Sequence, residues 1–253
     1  MNSRHSHVTD WGLKHVGIEP HYTILDVGCG GGRTVSKLAK VVKQGKVYGI
    51  DYSEASVAMS KKTNARWIDM QRVEIRHASV SQLPFEHGSF DLVTAVETHF
   101  WWPDLPAGVR EIYRILKPGG TLVVIAEVYK GANTAVASLL EKKAIRIGMK
   151  LLDVGEHRAL LESTGYSEVR ISEEHNKGWI CADGHQTNNE HARLHQASLN
   201  QTTRAFDEML RGSDSELSIA GFRTWTVTSR YLRTHRFIPH SLQRPRNRPH
   251  SGW

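Results

Sequence analysis

The sequence predicts an α/β protein, a doubly wound and mostly parallel sheet of seven strands followed by a basic C-terminal extension. Three observations carry this. Short, fully apolar runs alternate with stretches of helical period, the pattern of strands buried on both faces. A glycine cluster stands directly after the first apolar run, and an acid closes the second. The alternation holds over residues 20–184 and then stops.

In chain order, residues 8–16 form a candidate helix carrying Trp11 and Leu13 and ended by Pro20. Residues 22–27 read as a first strand, broken by Gly28-Cys29-Gly30-Gly31-Gly32. Val35, Leu38, Ala39 and Val42 then recur at helical spacing until Gly45. Residues 47–50 give a second strand, closed by Asp51, and Ser53 is the expected N-cap of a helix reaching about residue 65. Residues 73–77 and 90–96 are the third and fourth strands. A helix is expected over 105–116, with Lys117-Pro118-Gly119-Gly120 as its stop and 121–128 as the fifth strand. Helical stretches at 134–148 and 156–164 precede two short strands, 169–171 and 179–182. Beyond them, 192–210 reads as a weak helix, 224–232 as a polar strand, and 239–253 as a Pro-, Arg- and His-rich end without regular structure. The expected division is an N-terminal lid or cap (1–20), a core domain (21–184) and an accessory basic tail (185–253).

With 39% hydrophobic and 23% charged residues, the 253-residue chain has a globular composition. Its longest apolar run, near residues 121–126, is far short of the ~20 residues that span a bilayer, so no membrane partner is expected. The opening MNSRHSHVTD has no apolar centre, which argues against a secretory leader and makes the cytoplasm the expected compartment. Two cysteines, Cys29 and Cys181, cannot build a disulfide framework or a cysteine-rich zinc site. The net charge of +7 is uneven. Residues 185–253 hold 10 arginines against 5 acids and no lysine, so the basic character belongs mainly to the tail. Its Arg244-Pro245-Arg246-Asn247-Arg248 run lacks interleaved aromatics, and a nucleic-acid partner is not expected. His191 and His195 are four apart, but no acid or cysteine completes a ligand set, so no metal is expected.

The strongest chemical signal is the run from Ile24 to Gly32. Glycines at a strand-to-helix turn let the backbone bend tightly and approach a ligand. Asp51, at the end of the next strand, suits the two hydroxyls of a ribose. Together they define a nucleoside site. Arg33 stands where the dinucleotide pattern needs a third glycine, and Asp26 would repel a pyrophosphate but attract an ammonium. S-adenosylmethionine has an ammonium, a sulfonium and a ribose diol, and no phosphate.

At this point the sequence resembles the class I S-adenosylmethionine-dependent methyltransferases. Asp26-x-Gly28-x-Gly30-x-Gly32 resembles their first motif. Leu83-Pro84-Phe85, Gly88-Ser89-Phe90-Asp91-Leu92-Val93 and Leu116-Lys117-Pro118-Gly119-Gly120-Thr121-Leu122 resemble later motifs of the small-molecule branch, which includes the ubiquinone/menaquinone C-methyltransferases. The resemblance implies a Rossmann-like methyltransferase fold with S-adenosylmethionine as cofactor. It implies that Gly28, Cys29, Gly30 and Gly32 form the turn under the methionine part, with Asp26 near the ammonium. Asp51 would hold the ribose, Tyr52 pack on the adenine, and Ser79 and Val80 flank the adenine edge. The family usually has Asp where Ser79 stands, so that contact is weaker here.

After the fourth strand comes Glu97-Thr98-His99-Phe100-Trp101-Trp102, which in this fold faces the methyl group. Three aromatics there suit an apolar acceptor pocket. Glu97 and His99 are the candidate catalytic groups, His99 as a general base, and Glu97 also borders the cofactor. The alternative is that the tryptophans pack against the following helix and His99 is a surface group. The expected activity is methyl transfer to a small-molecule acceptor. The competing readings are a non-catalytic S-adenosylmethionine-binding protein used in regulation or assembly, and a nicotinamide-dependent oxidoreductase, which Asp26 disfavours.

Overall fold

A computed structural model describes residues 4–132 and 135–187, with side chains throughout except at 4–5 and 135–137. The strands are β1 (Thr23–Val27), β2 (Lys46–Asp51), β3 (Val73–His77), β4 (Phe90–Val96), β5 (Leu116–Ala126), β6 (Tyr166–Glu174) and β7 (Trp179–Gln186). They form one sheet in the order β3-β2-β1-β4-β5-β7-β6. The first five pair in parallel, and β7 runs antiparallel to β5 and β6. The seven-stranded, doubly wound expectation holds.

The helices are α1 (Arg4–Gly12), α2 (Arg33–Val41), α3 (Glu54–Thr63), α4 (Ala65–Asp69), α5 (Leu105–Ile115), α6 (Ala135–Arg146) and α7 (Val154–Thr164). Period-two alternation divides each strand between two cores. Leu25, Val93, Leu122 and Val124 point to one side, where they meet Val109 and Ile112 of α5 and Leu161 of α7. Ile24, Leu92, Val123 and Ile125 point to the other, against Val8 of α1, Leu38 of α2 and Val57 of α3. Strands covered on both faces need no polar alternation, which is why their sequences read as apolar runs. The order reverses at β1, flanked by β2 and β4. The crevice outside the carboxyl ends of β1 and β4 is therefore the place where an open α/β sheet binds its ligand.

Several expectations change. For the N-terminal segment, expected as a lid or cap, the packing is that of an element covering the sheet. Val8 is wholly buried, and a Cβ on Gly12 would stand 2.5 Å from Ile125, so α1 lies tight on the sheet. The stop at 117–120 ends α5 at Ile115, but the next strand begins at once with Leu116 opposite Phe90. Lys117–Gly120 then loops out, because Thr121 resumes the ladder opposite Leu92. Proline lacks the N–H that a central ladder needs, and Gly119 supplies the positive φ of 79°. The helix after Ser53 breaks at Asn64, whose side chain donates to the carbonyls of Gly32 and Ser60. Ser53 caps α3 as expected, accepting from Ser56 N. The core also passes the expected boundary at 184. Strand β7 runs to Gln186, and Thr187 Oγ1 lies 2.6 Å from the Tyr113 hydroxyl. Residues 188–253, with His191, His195 and the Arg-rich run, lie outside the described residues, as does the His5 side chain.

Candidate active site

A cleft of about 330 Å³ opens at the carboxyl ends of β1 and β4. Its walls include Asp26, Gly28, Cys29, Gly30 and Gly31 on one side and Glu97, Phe100, Trp101 and Met149 on the other. Ser6 and Thr9 of α1 also border it, so the N-terminal helix that covers the sheet reaches the site as well.

The glycine turn is held to its neighbours by the backbone. The N–H groups of Gly28 and Cys29 both donate to Ile50 O at 2.8 Å. Gly28 has φ +72°, and a Cβ there would lie 2.1 Å from Thr98 Oγ1, so glycine alone fits. Gly30 differs: at φ +51° its missing Cβ would meet nothing within 4 Å, leaving open space beside the cleft for a ligand. The Cα–H of Gly32 faces α3. A Cβ there would strike Ser60 and Asn64, so this glycine serves the approach of α2 to α3, which leaves only its backbone for the expected cofactor contact.

Asp51 is buried and already occupied in part. Its Oδ2 accepts from Gly30 N at 2.8 Å and its Oδ1 from Ser53 N at 2.9 Å. Each carboxylate oxygen keeps a further lone pair, so the acid that fixes the turn can also receive a ribose hydroxyl. Asp26 is 2% exposed, and Thr94, its register partner on β4, donates a hydroxyl to it at 2.6 Å. Burial, with a smaller contribution from the Asp51 charge, pushes the Asp26 carboxyl up to about 7. Such an acid lacks a cation. Thr94 was missed by sequence reading, although a hydroxyl in an otherwise apolar strand was a usable signal. The Cys29 thiol is buried near Ser60 and, mainly through desolvation, pushed up to about 12, so it is no nucleophile.

Around the expected adenine position the side chains diverge. Tyr52 is 77% exposed, available to cover a flat ring. Ser79 is exposed and accepts from Ser81 N, while His77 Nε2 lies 2.7 Å from Tyr52 O. Val80 is buried against Trp102 and α5, so only its backbone is left for a ligand.

The acceptor segment holds the main correction. His99 is 2% exposed and is not among the residues lining the cleft. Its Nε2 sits 3.3 Å from Nε2 of His157 on α7. His157 Nδ1 lies 2.8 Å from Asp153 O and must donate to it. Its Nε2 is then an acceptor, and the shared hydrogen belongs to His99. Burial first and the second imidazole next push His99 down to about 3. It is a neutral structural histidine, neither the expected base nor the surface group of the alternative. His157 carried no sequence signal, because 58 residues separate it from its partner.

Glu97 remains on the cleft wall. Its φ of +56° is strained for a residue with a side chain, and its carboxylate accepts from Glu127 N. The aromatics divide their duties. Trp102 is buried on Gly108 and donates to Thr98 Oγ1 at 3.3 Å. Phe100 is buried beside Tyr129 and Ile180 yet touches the cleft, and Trp101 is 50% exposed at its rim. Among the described residues no group of three or more histidines, cysteines or acids is placed to hold a metal ion.

Residues 25–124 match the family described as "Methyltransferase domain". A demethylmenaquinone methyltransferase of Oceanobacillus iheyensis is 36% identical over 116 residues, 45% of this chain and 48% of that protein. The chain thus spans about half the length of the curated relatives it matches. A putative methyltransferase in complex with the Haloferax volcanii Trm112 methyltransferase activator matches with TM-score 0.64 and 22% identity, over 74% of this chain and 92% of that one. The geranyl diphosphate C-methyltransferase of Streptomyces coelicolor A3(2), solved with Mg2+, geranyl diphosphate and S-adenosyl-L-homocysteine, matches with TM-score 0.60 and 16% identity, over 72% and 80%. Residues 25–124 thus match a methyltransferase domain, and the glycine turn, the two acids, strands β2 and β4 and the last three residues of β1 all lie within the matched stretch.

Proposed function

We propose that this protein transfers the methyl group of S-adenosylmethionine to a small, largely apolar acceptor. One observation carries the reading: a single cleft joins the acid-bearing glycine turn to the aromatic end of the Glu97–Trp102 segment. The residues fit the cofactor. Asp26 is a buried acid without a cation, Gly30 faces open space, and Asp51 keeps acceptor capacity for a diol. When bound, S-adenosylmethionine supplies a methyl carbon already made electrophilic by its sulfonium.

The protein's own work is alignment and exclusion of water. Asp26 holds the ammonium, and Asp51 holds the ribose while fixing the turn. Tyr52 and the Ser79 edge cover the adenine. Phe100, Trp101 and Met149 form the apolar wall against which an acceptor ring lies. Glu97 replaces His99 as the group that orients the acceptor and takes its proton where one must leave. The curated relatives that act on demethylmenaquinone make a hydroquinone-like ring the first acceptor to try.

The experiment is a methyl-donor turnover screen across quinols, phenols, amines and thiols, paired with calorimetric titration of S-adenosylmethionine and NAD. Turnover of a quinol or phenol is expected, with Glu97→Gln lowering turnover and sparing cofactor affinity. Cofactor binding without turnover of any acceptor class favours the regulatory reading. Binding of NAD in its place refutes the proposal.

A further inference from the structure

The seam between α1 and α2 opens into a second concavity. At one end of the seam, Ser6, Thr9, Arg33 and Thr34 border the cofactor cleft. At the other, a groove of about 450 Å³ lies between the end of α1, the chain that follows it and the later turns of α2. The groove shares no lining residue with the cleft. Lys37 lines the groove and clasps the two helices: its ammonium donates to Ser6 O at 2.8 Å and pairs with Asp10. The floor is apolar. Val16 and Leu38 are buried, Leu13 and Ile18 pack half-buried against the same core, and Val41, the last residue of α2, is 45% exposed. The rim is cationic. Lys14 and Lys40 are exposed and make no ion pair among the described residues. Three lysines and one acid, Asp10, leave the lining with a surplus of two positive charges. The period of α2 explains the arrangement: Lys40, Lys37, Val41 and Leu38 follow one another around an arc of about 160°, grading from cation to core.

We propose that this groove binds a single-chain anionic amphiphile, a fatty carboxylate. Small-molecule sites enclose about 300–1,000 Å³ and combine an apolar lining with a few placed polar groups, and the groove has both the size and the composition. The chain would lie on Leu13, Val16, Ile18, Leu38 and Val41, and the carboxylate would meet Lys14 and Lys40 as the Asp10 carboxylate already meets Lys37. Lysine stems add apolar surface beside the chain while their ammoniums stay at the rim. A peptide fits less well, because its main-chain N–H and C=O groups would lie on an aliphatic floor that offers them no partner. No described helix is long and apolar enough to cross a membrane, and a concave groove admits one chain, whereas a bilayer surface would touch only its rim. The site lies outside the cofactor cleft, and its occupancy does not depend on methyl transfer.

The test is calorimetric titration of the full chain with decanoate, kept below the concentration at which it forms micelles, with acetate, hexanoate and decanol as comparison probes. Saturable binding of decanoate is expected, with no binding of acetate. Hexanoate should bind about tenfold more weakly, the scale of four methylenes covered on one side, and decanol about tenfold more weakly through the missing charge. Combined Lys14→Glu and Lys40→Glu should weaken decanoate by about tenfold and leave decanol unchanged. Val41→Ser should weaken both by about threefold. Thermal melting of both variants should match the parent, since the replaced side chains are exposed. Absence of decanoate binding overturns the proposal. So does unchanged binding by the charge-reversed chain, which would assign the ligand to another surface such as the basic tail. Displacement of decanoate by S-adenosylmethionine would place it in the cleft and refute the groove as well.

Discussion

The two walls of the cleft obey different rules. The cofactor wall is built from backbone and acids at the ends of adjacent strands: the turn after β1, Asp26, and Asp51 closing β2. The proposed acceptor wall is built from Glu97, Phe100 and Trp101 after β4 and Met149 after α6, backed by contacts across the fold such as the His99–His157 pair. Buried titratable groups in the first wall and behind the second are moved from their ordinary values, the acid and the imidazole in opposite senses. Asp26 is pushed up to about 7 and His99 down to about 3, both chiefly by burial. The cofactor wall is strained when its acid ionises, and the acceptor wall when its base protonates. The ammonium of the proposed cofactor would relieve the first strain, and the second is avoided by keeping the imidazole neutral.

The largest expected effect lies on the cofactor wall. An unfolded Asp26 releases its proton near 3.8 and the folded one near 7, so ligand-free stability falls as pH rises through that interval. The interval corresponds to about 4 kcal/mol at roughly 1.4 kcal/mol per unit. Asp26→Asn removes this dependence, so urea unfolding at pH 5 and pH 8 should separate parent from variant mainly at pH 8, where the variant is the more stable. Cofactor affinity should run the other way. It rises with pH up to about 7 in the parent, as the carboxylate that meets the ammonium forms, and is weak with little pH dependence in Asp26→Asn. A parent whose stability does not fall over this range would mean that Asp26 is solvated in the free protein.

Next come the glycines, which sharpen the contrast within one loop. Gly28→Ala combines a left-handed backbone with a clash against Thr98, and should lower stability by about 2–4 kcal/mol. Gly30→Ala meets no protein atom within 4 Å, so its stability loss should be confined to the backbone, about 1–2 kcal/mol. Its methyl group intrudes on the ligand, and affinity should fall in excess of that loss. Equal behaviour of the two variants in melting and in calorimetry would remove the distinction.

On the acceptor wall, His99→Leu should cost about 1–3 kcal/mol through lost packing and an unpaired His157, with cofactor affinity nearly intact. For this histidine the sign reverses. Its folded pKa is depressed, so its contribution is complete above the unfolded value of 6.5 and is lost as pH falls toward 3. The pH–rate profile of a confirmed acceptor should therefore keep its shape between pH 6 and pH 8 in the variant. An inflection near 6.5 that vanishes in His99→Leu would restore His99 as a base.

The smallest effect is assigned to Tyr52, which is 77% exposed. Tyr52→Ala should leave the melting temperature unchanged and weaken S-adenosylmethionine by about 0.5–1.5 kcal/mol, the scale of a stacked ring.

By itself the sequence determined the sheet, the glycine turn and the acids at its edge. Those features have local causes. Buried parallel strands require apolar runs, the turn requires residues without Cβ at positive φ, and Asp26 and Asp51 lie within two residues of the motif or at the next strand end. Only the tertiary structure decided which glycine faces open space and which faces a helix, since Gly30 and Gly32 are alike in sequence and differ in what lies beyond the missing Cβ. It decided that α1 belongs to the sheet, that β7 passes Gly184 to reach Gln186, and that the loop at 117–120 lies beside a strand already begun. It also moved His99 from the cleft into the core and set Trp101, Trp102 and Phe100 to different tasks. Burial of a polar group is settled by partners far along the chain, here 58 residues away in His157, and residue type and spacing carry no record of such a partner.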